Sequence, residues 1–131
     1  MSKVYDFIKE CGVFFVLPVN EGMLAGRPFR AIMEQDGKIY ISAAEDKSAC
    51  QQMLDNPHIR IMALNDSTCD WLSAVGKVTN CDDMGLKQTM LETCPVLQKQ
   101  FTADSAEYGL FELTEYRAEL HIDNHVEIFQ L

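Results

Sequence analysis

Three short turn segments constrain this chain more than any other feature. Asp36-Gly37, Asn65-Asp66-Ser67 and Asp123-Asn124 each separate two runs patterned like β-strands. An Asp-Gly pair between such runs is a strong hairpin signal, because the favoured two-residue turn needs positive φ at both positions. A chain made of successive hairpins pairs its strands antiparallel. No series of strands alternating with helices appears, which argues against a doubly wound parallel sheet.

The rest of the chain fits between these turns. Val4, Phe7, Ile8 and Cys11 follow a helical period over Lys3 to Cys11, and Gly12 ends that helix. Val13 to Val19 is a continuous apolar run and reads as a buried strand. Asn20-Glu21-Gly22 turns the chain into a second strand, Met23 to Met33. Lys38 to Ala43 is the third, with Ile39 and Ile41 on one face and Tyr40 and Ser42 on the other. Asp46 caps a helix over Lys47 to Asp55, which Asn56-Pro57 breaks.

His58 to Leu64 and Asp70 to Asn80 are further strands, the latter with a bulge expected at Gly76. Asp82 to Thr93 is helical, Val96 to Phe101 adds a helical turn, and Tyr108 to Ile122 and Val126 to Leu131 are the last strands. The expected architecture is mainly β: a small antiparallel barrel with peripheral helices, in one domain over residues 1–131.

Composition narrows the function. With 131 residues, 47% of them hydrophobic, the chain supports one packed core and is not disordered. A net charge of −9 argues against general nucleic-acid binding, which needs a basic footprint. No apolar run approaches a membrane span. Charges at Asp6, Lys9 and Glu10 come too early for a signal peptide, so a cytoplasmic location is expected. The five cysteines include no C-x-x-C pair and match no zinc spacing, so free thiols and no metal are expected. Cys11 and Cys50 read as core. His121 and His125 are four apart, but across a turn, which is poor geometry for a shared metal.

Against this acidity, positive charge gathers in two places. Arg27-Pro28-Phe29-Arg30 lies in one strand-like run, and Lys47-Ser48 opens a helix just after another. A lysine at a helix N-terminus is unfavourable unless an anion compensates it. Two cations and a helix N-terminus at neighbouring strand ends make a site for a small anion. Arg27 and Arg30 differ by an odd number, which puts them on opposite faces of a continuous strand. Phe29 reads as core. No G-x-G-x-x-G or P-loop supports a nucleotide-binding alternative.

The order Gly26-Arg27-Pro28-Phe29, hairpin, Lys38-Ile39-Tyr40-Ile41, Lys47-Ser48, Asn56-Pro57 and Asp70-Trp71-Leu72-Ser73-Ala74-Val75-Gly76-Lys77-Val78 resembles the pyridoxamine 5′-phosphate oxidase-like family of FMN-binding split barrels. The resemblance covers essentially the whole chain. It implies a six- to seven-stranded split barrel and a homodimer with FMN in two clefts at the interface.

By position, Arg27 then contacts the FMN phosphate, with Lys47 and Ser48 as the second phosphate-binding pair. Pro28, Phe29 and Arg30 form the strand that runs along the flavin, Ile41 and Ser42 lie beside the ribityl chain, and Trp71 lies close to the flavin ring. The resemblance implies a flavin-dependent oxidoreductase whose substrate and catalytic residues are unknown, since the cofactor carries the chemistry. True pyridoxamine phosphate oxidase activity is not expected, because the chain stops after its last strand and Trp71 replaces a polar residue of those oxidases. The acidic Glu45-Asp46 pair beside the phosphate residues favours the alternative, a non-catalytic flavin- or haem-holding module on the same fold.

Overall fold

The computed structural model describes residues 2–18, 27–42, 53–95, 97 and 109–130. Helix α1 spans Lys3–Cys11. Its N-cap is Ser2, whose Oγ accepts a hydrogen bond from the Tyr5 amide at 3.2 Å, and Gly12 leaves the helix at φ 81°. Val4, Tyr5, Phe7 and Ile8 form its buried stripe, as the period predicts.

Eight strands follow among the described residues: β1 (Phe14–Pro18), β2 (Arg27–Phe29), β3 (Ile32–Gln35), β4 (Lys38–Ser42), β5 (His58–Asn65), β6 (Asp70–Cys81), β7 (Leu110–Ile122) and β8 (His125–Gln130). Helix α2, Met84–Thr93, lies between β6 and β7 and is capped by Asp83. All pairings are antiparallel. Among the described residues, no helix is long and apolar enough to cross a membrane.

The count exceeds seven because the single strand expected over Met23 to Met33 is broken. Its described part forms β2 and β3, with Arg30 and Ala31 between them outside any ladder. Each half pairs elsewhere: Phe29 lies opposite Phe14 of β1, and Ile32 opposite Ile41 of β4. Along the sheet the order is β2-β1-β5-β6-β7-β4-β3, with β8 also on β7. The two ends of that order, β2 and β3, are joined by two residues, so the sheet must curl until its ends meet. It is a barrel with a split between β2 and β3. The Ser42 amide, donating to the Ala31 carbonyl at 3.4 Å, ties the step to β4.

Two clusters fill the structure. The barrel interior holds Phe14, Ile41, Ile61, Leu72, Phe111 and Leu120, closed at one end by α1. A smaller cluster under α2 gathers Met33, Tyr40, Met90, Leu91 and Leu110. Strand β4 separates them and is buried on both faces: Ile39 and Ile41 point into the barrel, Tyr40 towards α2.

The turns behave as their residues dictate. Asp36 and Gly37 take φ 53° and 78°, and Asp123 and Asn124 take 46° and 69°. Both hairpins therefore close with the double positive φ that suits the twist of paired strands. The turn after β5 covers residues 66–69, longer than expected, with Cys69 at φ 64°. Asn65 Oδ1 accepts from the Ser67 amide at 3.1 Å and stiffens its start. Of the helix expected over Lys47 to Asp55, the last residues, 53–55, are described and helical. The turn expected over Val96 to Phe101 is described at Leu97, whose amide donates to Cys94 at 3.0 Å.

The bulge expected at Gly76 falls one step later, where the β6–β7 register shifts between Lys77 and Val78. Gly76 has a different duty. A Cβ there would meet the Glu115 carbonyl oxygen at 2.2 Å and Tyr116 Cβ at 2.9 Å. Backbone cannot move aside as a side chain can, so Gly76 permits the close approach of β7. Gly76→Ala is expected to cost about 2 kcal/mol or more, read as a lower urea midpoint with circular dichroism retained. An unchanged midpoint would show that β6 and β7 are not held this tightly.

Candidate cofactor cleft

The split leaves two strand edges facing a cleft. Among the described residues, β2 pairs with β1 alone and β3 with β4 alone. The outer edge of β2 thus carries backbone groups outside the ladder, which need water or a ligand as partner. Pro28 is exposed on this strand, and Phe29 is buried against Phe14 with ring centroids 5.9 Å apart. Phe29 is therefore core, as its type suggests, and can meet a ligand only through its backbone.

Arg27 is in β2, opposite Val16, and its side chain lies outside the described residues. Arg30 is exposed just beyond the end of β2. Because it is not in the strand, the parity argument that set it opposite Arg27 no longer applies. Lys47, Ser48 and the neighbouring Glu45-Asp46 also lie outside the described residues, as does Cys50.

Ile41 and Ser42 end β4. The Ile41 side chain is wholly buried in the barrel, and its backbone lies in ladders on both sides, opposite Ile32 of β3 and Phe111 of β7. The Ser42 hydroxyl donates to the Gly109 carbonyl at 2.9 Å and locks the end of β4 against the start of β7.

Trp71 is on the outer face of β6, 38% exposed. In the ladders it lies between Leu64 of β5 and His121 of β7. Its indole stacks on the His121 imidazole, centroids 3.7 Å apart and planes within 7°. On the β5 side it lines a groove of about 590 Å³ with Cys11, Val13, Phe15, Met62, Leu64 and Asp66. Such a volume suits a small organic ligand. Cys11 is half-buried: it packs against the barrel core, as expected, and also forms part of the groove wall. Burial, then Glu10 and Asp66, push its thiol up; burial does the same for Cys94, offset in part by its hydrogen bond to Ile32. Neither thiol is an activated nucleophile.

His121 Nε2 is buried without a hydrogen-bond partner, with a Glu119 carboxylate oxygen 3.6 Å away. No cluster of His, Cys, Asp and Glu suited to a metal occurs among the described residues. The role of His121 beside the indole was not legible locally. It depends on the β6–β7 register, which no motif of the sequence announces.

Among the described residues, the outer face thus presents the exposed Pro28 of β2, the apolar groove and the aromatic wall of Trp71.

No protein-family model and no curated protein sequence matches the chain. Solved structures do. A NimC/NimA family protein from Clostridium acetobutylicum superposes with a TM-score of 0.90 and 29% identity, covering 98% of this chain and 90% of that one. Another C. acetobutylicum protein, related to general stress protein 26 of B. subtilis and of the pyridoxinephosphate oxidase family, gives 0.75 and 15%, covering 98% and 92%. A haem-binding protein from Mycobacterium smegmatis gives 0.71 and 9%, covering 94% of this chain and 57% of that one. The last two likenesses establish the fold alone. With the curled antiparallel sheet, its split and the near-complete superposition on the first of these proteins, the chain has the split-barrel fold of pyridoxamine 5′-phosphate oxidase-like proteins.

Proposed function

We propose that this protein is an FMN-binding flavoprotein, a flavin-dependent oxidoreductase that works as a homodimer with one FMN in each interface cleft. The observation that supports it most is the free edge of β2 at the split, carrying Arg27, Pro28 and Phe29 together.

Each residue has a role under this reading. Arg27 grips the phosphate with its guanidinium, bidentate where geometry allows, and Lys47 and Ser48 complete the anion site at their helix N-terminus. Pro28, Phe29 and Arg30 present the strand edge along the ring. Ile41 and Ser42, at the end of β4, flank the ribityl chain, and Trp71 forms the far wall. When bound, FMN supplies the redox chemistry, and the chain supplies position, charge and exclusion of water. The partner chain follows from a second feature: Val75 of β6 and Val126 and Ile128 of β8 are exposed on the outer sheet face. Exposed apolar side chains on a sheet face, here flanking the Arg117–Glu119 pair of β7, suit an interface, and a two-fold pairing uses them on both copies.

The alternative is a module that holds flavin or haem without turnover. The likeness in fold to a haem-binding protein supports keeping it. The spectrum of the purified protein separates the readings. A flavin band with reduction by NAD(P)H favours the enzyme; a Soret band favours the haem module.

Two outcomes are expected if the flavin reading holds. Arg27→Ala weakens FMN by ~1.5–3 kcal/mol, roughly ten- to a hundredfold, and leaves riboflavin, which lacks the phosphate, nearly unchanged. Lys47→Ala acts in the same direction but less, because lysine is a single point charge. Equal losses for both flavins would mean that Arg27 serves folding. Sedimentation is expected to give about twice the chain mass of 14.8 kDa, and Ile128→Glu to shift it towards monomer. A monomer that still binds FMN tightly would rule out the interface cleft.

A further inference from the structure

We propose that His121 is a positioning residue for the Trp71 wall of the cleft: it fixes the plane of the indole and leaves one face of it for the cofactor ring. The inference rests on the flavin reading of Trp71 and adds a residue which that reading does not use.

Its own strand does not hold the indole still. Trp71 lies on the outer face of β6 and is exposed. Exposed side chains change rotamer within picoseconds to nanoseconds. A wall that moves this way must be ordered when a ring binds against it, and that ordering weakens binding. His121 supplies the order in advance. It lies directly opposite Trp71 in the β6–β7 ladder, and the two rings stack at 3.7 Å, nearly parallel. On the other side of β7, Val126 of β8 is in register with it. The imidazole therefore sits in the middle of three paired strands. With one indole face taken by His121, a cofactor ring meets the other, which lines the groove with Phe15 and Met62.

Glu119 holds the imidazole in turn. Arg117, Glu119 and His121 alternate along β7 with Ala118 and Leu120, which are buried in the barrel, so all three share the outer face. One Glu119 carboxylate oxygen accepts from the Arg117 guanidinium at 2.9 Å. The other lies 3.6 Å from His121 Nε2, just beyond hydrogen-bond distance. That nitrogen is buried and meets no hydrogen-bond partner among the described residues. A bare buried nitrogen is costly, and a small ring rotation brings the Glu119 oxygen within reach of a hydrogen on Nε2. Arg117 and Glu119 are exposed, so this support is weaker than the stack itself.

Trp71 is the one tryptophan of the chain, so fluorescence anisotropy decay of the full chain reads this indole alone. Without cofactor, the decay is expected to follow overall tumbling. His121→Ala is expected to add a fast component, and His121→Phe, which keeps a ring in register, to remove it again. Affinity reads the consequence. His121→Ala is expected to weaken FMN and riboflavin alike, about three- to tenfold, because both carry the ring that meets the indole. His121→Phe restores both, and Glu119→Ala acts as His121→Ala does, but less. The pattern differs from that of Arg27→Ala, which separates the two flavins.

Three results would overturn the assignment. The first is an anisotropy decay in folded His121→Ala identical to that of the unaltered protein, which would mean that something else holds the indole. The second is unchanged flavin affinity in His121→Ala while the unaltered protein binds FMN. The third is a loss that His121→Phe does not restore although its circular dichroism is native. An unaltered protein that binds no flavin would overturn the flavin reading instead, and the anisotropy decay would still decide whether His121 holds the indole.

Discussion

The step from Phe29 to Ile32 governs this molecule. Two residues, Arg30 and Ala31, carry the chain from one end of the sheet order to the other. The three Cα–Cα steps from Phe29 to Ile32 span at most about 11 Å, so the first and last strands cannot lie apart as they would in an open sheet. Curling follows from this geometric limit, and curling creates an enclosed interior. Phe14, Ile61, Leu72 and Phe111 are buried because the sheet closes over them. Alternation along β1, β5, β6 and β7 then supplies one apolar residue to that interior at every second position.

The same step creates the cleft. A fully hydrogen-bonded barrel has no edge strands, and a split one keeps two. Their backbone groups are a liability if left bare and a recognition surface if covered. Covering comes from a ligand with matching donors and acceptors, from a partner chain, or from both. The thiols of Cys11 and Cys94 are both pushed up, chiefly by burial, so neither offers an activated nucleophile.

Much of the architecture was legible locally because local chemistry decides it. The Asp36-Gly37 and Asp123-Asn124 turns fall where expected, since few other residues tolerate their backbone. The helix at Lys3–Cys11 and the strands at His58–Asn65, Asp70–Cys81 and Leu110–Ile122 match their patterns to within two residues or so at each end. The double burial of β4 was foreshadowed by apolar residues on both faces of Lys38 to Ala43. The break at Arg30 was not visible. Nothing in Gly26 to Met33 interrupts a strand pattern, and the break exists because its two halves find different partners.

The sequence by itself determined the hairpins, the antiparallel class and the stripe of α1, because turn chemistry and side-chain periodicity act over a few residues. Tertiary structure decided the rest. Register alone brought His121 beneath Trp71, fifty residues away. Packing of α1 against β5 turned Cys11 into a groove wall. Closure buried the side chains of Phe29 and Ile41. Each of these depends on contacts between distant segments, whose geometry is fixed only once the whole sheet has curled.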